Sequence, residues 1–345
     1  MSSNKQHAGA DFGPAEPGAR RAGPSSAPRA GERAELIRAL AVLAEMPGDR
    51  HRRLATSLGL PGSPTASGHT EALVLGVHPY ASVYLGSEGM LGGETGDRVA
   101  GFWRAIGLVP PPEADHLSAL LGLYASLLDA EREAENDQGP EEALVDSNRR
   151  RAAAASRRAR ETLLSEHLLP WIPLFCRAVE KAGDETHAAW AKLLLEVVLD
   201  EAAGCPAPIG LSAHLEAAPG LDRDPSSLSD LVDQACTPAR TGIVLTRLDL
   251  ASASRRLGLG LRIGERRYML RSLLEQDPPG TLDWLAAEAR SWAQWLAGTG
   301  ERAGPSANFW AGRATMAAAQ WTAAAAEARS DKAKGTSAFK KEGTT

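Results

Sequence analysis

Asp115-His116-Leu117-Ser118-Ala119-Leu120-Leu121-Gly122-Leu123-Tyr124-Ala125-Ser126-Leu127-Leu128 is the stretch that decides the fold class. Leu117, Leu120, Leu121, Tyr124, Leu127 and Leu128 recur at helical spacing, so one face of a helix is wholly apolar and needs other elements to cover it. Asp115 reads as its N-cap, and Pro110-Pro111-Pro112 as a rigid connector into it. Upstream, Thr95 reads as the cap of a helix bearing Val99, Phe102, Trp103 and Ile106, stopped by Gly107.

The same period recurs outward in both directions. Gly31 to Met46 carries Leu36, Ile37, Leu40, Val42 and Leu43 and ends at Pro47-Gly48-Asp49. Gly59 to Gly68 reads as a loop, and Glu131 to Ala159 as an exposed loop leading into a further helix. Leu163 to Val179 is apolar but interrupted by Pro170 and Pro173, which predicts a kink or two short helices. Glu185 to Ala203 places Trp190, Leu193, Leu194, Val197 and Val198 on one face.

Composition agrees. The 345 residues hold about 60 alanines, the strongest helix former, and few Val, Ile, Tyr and Phe, which fill strands. An all-α architecture follows: a helical bundle over 31–205, a Pro/Gly linker over 206–225, a small Arg-rich helical extension over 226–297, and an Ala-rich helix with a polar tail over 298–345 that starts at a Gly298–Pro305 break. Residues 1–30 are too poor in apolar side chains to offset chain entropy and read as a disordered tail. Arg20-Arg21 is not followed by an apolar run, so this start reads as a non-cleaved one.

The charge balance excludes other classes. With 38 Lys plus Arg against 43 Asp plus Glu, the net charge of −5 is wrong for a chain that coats nucleic acid. Cys176, Cys205 and Cys236 form neither a CxxC nor an even-numbered framework, and no apolar run approaches the ~20 residues of a membrane span. A cytoplasmic location is the expectation. The chain has no P-loop, HExxH, GxSxG or EF-hand motif. Gly258, Gly260 and Gly264 give G-x-G-x-x-x-G, one residue off the dinucleotide fingerprint.

Two constellations remain. In Pro112-Glu113-Ala114-Asp115-His116-Leu117 a carboxylate stands beside an imidazole at a helix start, a pair suited to a basic peptide or to simple capping and packing. Between Pro238 and Arg271, eight arginines face Asp249 and Glu265. The run Leu245 to Leu259 there resembles a helix-turn-helix unit, with a Thr cap, a short helix and a Gly turn. It suits phosphates of nucleic acid or of a pterin cofactor, or else a solvated helical hairpin packed on the rest of the chain.

Five stretches occur together in order: His78-Pro79-Tyr80-Ala81-Ser82-Val83-Tyr84-Leu85, Gly89-Met90-Leu91, Phe102-Trp103-Arg104-Ala105-Ile106-Gly107-Leu108, Asp115-His116-Leu117, and Glu166-His167-Leu168-Leu169-Pro170-Trp171-Ile172-Pro173-Leu174-Phe175. In order and spacing this set resembles the TorD/DmsD/NarJ-type chaperones over about residues 33–203. The resemblance implies an all-helical, non-catalytic chaperone that binds the catalytic subunit of a molybdopterin-dependent oxidoreductase, often through its twin-arginine signal peptide, until cofactor is inserted. It carries Tyr80, Tyr84, Asp115 and His116 over as client-binding residues. The family's Glu-Pro-x-Asp-His is here Pro112-Glu113-Ala114-Asp115-His116, which leaves Glu113 outside the carry-over. No cofactor is expected to be held tightly, and contact with molybdopterin or a guanine nucleotide is expected to be transient. A monomer or homodimer is expected, with nucleic acid an improbable partner. The rival readings are a DNA-binding regulator acting through 238–271 and an unrecognised helical enzyme.

Overall fold

The computed structural model describes residues 30–136, 143–206, 210–222 and 225–333. The tail expectations for 1–29 and 334–345 lie outside them. Among the described residues there is no strand, and no helix is long and apolar enough to cross a membrane.

The first half comprises α1 (Ala30–Val42), α2 (Asp49–Ser57), α3 (Ala66–His69) running into a π-turn at Thr70–Val74, α4 (Ala81–Leu85), α5 (Gly93–Ala105), α6 (Leu117–Asn136), α7 (Ala143–Thr162) continued by a second π-turn at Leu163–Leu168, α8 (Ile172–Ala182) and α9 (Glu185–Ala203). The apolar face of α6 is buried as its spacing requires, with Leu117, Leu120, Leu121 and Tyr124 all but inaccessible, and α1 and α7 pack along this helix. Pro170 and Pro173 break the Leu163–Val179 run as expected. The chain turns at 169–171, and Pro173 sits in the first turn of α8, where its missing N–H costs nothing.

Two capping expectations are corrected. Thr95 lies inside α5 and is buried, because the helix begins at Gly93 after Gly92, whose φ of +79° makes the turn. Asp115 does not cap the helix that follows it. Glu131 also departs from the exposed loop expected of it: α6 runs on to Asn136, and Glu131 is buried because its carboxylate accepts from Arg157 and Arg160 of α7. A polar network ties α1, α6, α7 and α9 together. Glu201 accepts from Tyr124 Oη at 2.8 Å and Arg33 Nε at 2.7 Å, and Arg160 Nη1 donates to Tyr124 Oη at 3.0 Å.

The second half comprises α10 (Ala213–Glu216), α11 (Leu228–Ala235), α12 (Pro238–Thr241), α13 (Arg247–Leu257), α14 (Arg266–Gln276), α15 (Pro278–Ala303) and α16 (Pro305–Ala333). The stretch read as a Pro/Gly linker holds α10, with His214 and Leu215 buried, and Ala213 N donates to Glu166 at 2.9 Å. The expected break at 298–305 is confined to Gly304, with φ +66°; α15 continues through Gly298 and Gly300 and folds back on α16 as a long helical hairpin. The pairing is sealed by buried Trp292, Trp310 and Trp321. Trp310 Nε1 donates to Pro170 O at 2.7 Å, joining the hairpin to the first half. Buried side chains from Ala34 to Ala328 form one contiguous cluster.

Candidate functional site

The segments 79–82 and 113–118 are far apart in sequence but zipped together. Leu117 N donates to Pro79 O at 2.8 Å and Ala81 N to Asp115 O at 3.1 Å, which sets Tyr80 against His116 in an isolated antiparallel bridge. Asp115 Oδ2 accepts from Ser82 N at 3.0 Å, so the carboxylate caps α4 across the bridge. Ser82 Oγ in turn accepts from Gly92 N at 3.0 Å, fixing the end of the loop over 86–92. A line of hydrogen bonds therefore runs from Asp115 through Ser82 to that loop.

His116 takes over the cap of α6. Its Nδ1 accepts from Ser118 N at 3.2 Å, which leaves the ring proton on Nε2, and burial lowers its pKa against the opposing pull of Glu113, Glu45 and Asp115. The ring of Tyr80 stands edge-on to it, with centroids 4.7 Å apart. Burial, helped by a hydrogen bond to Glu113, pushes the Tyr80 hydroxyl up to about 12. Tyr80 and His116 are half-buried and Glu113 is exposed, so these three reach the surface.

The other two candidates do not. Asp115 is only 7% exposed and is committed to α4. Tyr84 is fully buried, stacked on Trp171 at 5.3 Å and edge-on to Phe175 at 6.1 Å, and its hydroxyl donates to His78 O at 2.9 Å. Tyr84, expected as a client contact, lies in the core and not at the surface. Glu113, left aside in the sequence, stands at the surface with Tyr80; its reversed order with Pro112 concealed this.

What the zipper positions is the 86–92 loop, which sequence reading did not single out as a contact surface. Two clefts lie either side of it, sharing Ser87, Glu88 and Met90. One, of about 310 Å³, also involves Glu94, Arg98 and His214. The other, of about 550 Å³, also involves Asp230, Asp233 and Arg267. Met90 is 57% exposed and Leu91 58%, between glycines at φ +64° and +79° that let the loop turn sharply. Arg98 is paired with Glu94 and Arg267 with Asp233, whereas Glu88 has no ion pair among the described residues. The loop thus offers two large apolar side chains beside a free carboxylate. The signal available in the sequence was an apolar Met90-Leu91 pair set between glycines.

Under the first cleft, His167 and His214 share a hydrogen bond at 3.1 Å, and Phe102 packs on His167. Burial, and after it nearby positive charge, lowers His167 to about 4 and His214 to about 3, so the pair is neutral. No group of three or more His, Cys, Asp or Glu among the described residues is placed to hold a metal. Gly258, with φ +67°, ends α13 rather than following a strand, which removes the structural context of a dinucleotide fingerprint.

The helix-turn-helix reading fails on geometry. Thr246 caps α13 as expected, in a reciprocal box with Asp249. The connection from α13 to α14 then spans 258–265, longer than the three or four residues that fix a recognition helix.

Comparison with known proteins bears on the same region. The family model described as nitrate reductase delta subunit matches residues 74–177, a span that includes the whole zipper, the 86–92 loop and the Trp171–Phe175 support. Two curated proteins, each named chaperone protein TorD, from Vibrio vulnificus strains YJ016 and CMCP6, are each 31% identical over 110 residues. The alignment covers 30% of this chain and 45% of each relative, so the chain spans less than half the length of the relatives it matches. Through this segment, the chain is similar to the TorD-type chaperones.

Proposed function

We propose that the protein is a non-catalytic maturation chaperone that binds the catalytic subunit of a molybdopterin-dependent oxidoreductase, through its twin-arginine signal peptide or unfinished body, until cofactor is inserted. The observation that carries this reading is that the matched segment, 74–177, contains the whole zipper and the loop it positions. It acts in the cytoplasm, as a monomer or homodimer, and any contact with molybdopterin or a guanine nucleotide is transient.

A twin-arginine peptide presents two guanidinium groups followed by an apolar stretch. Its receptor needs carboxylates beside exposed apolar side chains. Glu88 with Met90 and Leu91, and Glu113 with Tyr80 and His116, meet that requirement. In this reading Glu88 and Glu113 take the guanidinium groups, Met90 and Leu91 take the apolar stretch, and Asp115 positions the loop through Ser82.

Titration calorimetry with a synthetic peptide bearing the two arginines and the apolar stretch tests this. Binding is expected to weaken about tenfold in Glu88→Gln or Glu113→Gln, the scale of one charge-assisted hydrogen bond, and to weaken again when both arginines of the peptide are replaced by glutamine. The absence of any peptide binding, together with no molybdoenzyme subunit co-purifying with the tagged chain, overturns the reading.

A further inference from the structure

The arginine-rich segment has no place in the site above, and its side chains divide into two sets. Residues 250–268 hold five arginines and a single carboxylate, Glu265. Arg266 turns inward, donating to Leu245 O at 2.9 Å, and Arg267 is paired with Asp233 at 2.7 Å and Glu265 at 3.6 Å. Arg255, Arg256 and Arg262 are exposed and have no carboxylate partner among the described residues. The positive charge that survives internal pairing is therefore concentrated on the end of α13 and the tip of the loop that follows.

That tip is also apolar. Ile263, next to Arg262, is 82% exposed, Tyr268 is 46% exposed with its ring against Gly264 at the loop's root, and Leu248, seven residues before Arg255 on the same face of α13, is 58% exposed. The loop is a built protrusion. Ser254 Oγ donates to Leu259 O at 2.7 Å, Gly260 N donates to Gln276 Oε1 at 2.9 Å, and Gln276 Nε2 donates back to Gly260 O at 2.8 Å. A tip clamped at its base keeps Ile263 projecting instead of folding it onto the core.

We propose that this tip, Arg255, Arg256, Arg262, Ile263 and Tyr268, is a peripheral docking surface for an anionic lipid bilayer. The clefts beside the 86–92 loop do not border Arg255, Arg256, Arg262 or Ile263. Nucleic acid would use the arginines but leave Ile263 in water. A bilayer uses every component: arginines at lipid phosphates, tyrosine at headgroup depth, and isoleucine at the boundary with the acyl chains. The overall charge of −5 makes such approach depend on this local patch.

Vesicle flotation of the full chain tests it, with phosphatidylcholine alone and phosphatidylcholine mixed with phosphatidylglycerol. Binding is expected to the anionic vesicles only and to fall at about 0.5 M salt. Replacing Arg255, Arg256 and Arg262 together by glutamine should cost roughly a hundredfold, at about fivefold per arginine, while the matching lysine triple variant retains binding. Ile263→Ser should cost about tenfold. All four positions are exposed, and unchanged melting by circular dichroism confirms that each variant is folded. Failure of the wild-type chain to float, equal binding to neutral vesicles, an unaffected glutamine triple variant, or binding to duplex DNA in place of vesicles overturns the proposal. None of these outcomes bears on the signal-peptide titration, so the two readings fail separately.

Discussion

Replacing Asp115 by alanine discriminates a supporting carboxylate from a contacting one. In the structure Asp115 Oδ2 accepts from Ser82 N at 3.0 Å, and Ser82 is completely buried. The substitution removes an N-cap, worth about 0.5–2 kcal/mol, and leaves a buried donor without a partner, a loss of about 1–3 kcal/mol that overlaps with the first. A net destabilisation of about 2 kcal/mol is expected, because the backbone bond from Ala81 N to Asp115 O survives. Chemical denaturation should show a lower midpoint at unchanged slope. Asp115→Asn retains an acceptor of equal capping strength and should recover stability to within about 0.5 kcal/mol. Peptide affinity should follow stability in both variants, since the carboxylate acts through Ser82 and Gly92 on the loop. If Asp115→Ala melts like the wild type but loses the peptide, or if Asp115→Asn is stable yet cannot bind, Asp115 contacts the client directly and the supporting role is wrong.

Two further predictions concern the scaffold. Glu201→Ala leaves Arg33 and the Tyr124 hydroxyl without their shared acceptor and should destabilise the fold by about 3 kcal/mol, while Glu201→Gln recovers part of that; a loss below about 1 kcal/mol in guanidinium unfolding refutes the network's importance. His167 and His214 are held below the ordinary histidine value of about 6.5 by burial, so the unfolded chain binds more protons than the folded one on the acid side. The stability they allow is complete above about pH 6.5 and falls as pH drops toward 4, by at most about 1.4 kcal/mol per pH unit for each ring. Melting curves across that range should show this slope, flattened but not abolished in a His167→Gln, His214→Gln double variant, because His69, His78 and His116 are shifted in the same direction. Equal stability at pH 5 and pH 7.5 contradicts it.

The candidate site was legible in part. The ordered stretches from His78 to Phe175 lie within the region that the family model matches. Which of those residues face outward was not legible. Tyr80 and Tyr84 are four residues apart, yet one borders the surface and the other stacks on Trp171, since the helix between them begins only at Ala81. Asp115 precedes α6 and has the chemistry to cap it, but a partner 33 positions upstream claims its carboxylate and leaves the cap of α6 to His116.

By itself the sequence determined the main amphipathic helices and their buried faces, though not α2, α10 or the extent of α6 and α15. Helical period is a local property, and an apolar face such as that of Leu117 to Leu128 has to be covered whatever covers it. It likewise placed the excess of positive charge between Pro238 and Arg271. Only the tertiary structure decided how those charges are spent, leaving Arg255, Arg256 and Arg262 exposed while Arg266 and Arg267 are committed within the protein. It alone joined Asp115 to Ser82 and carried the zipper through to the 86–92 loop. The physical reason is the same in each case: hydrogen bonds and ion pairs between residues distant in the chain depend on which surfaces meet, and no local pattern encodes that meeting.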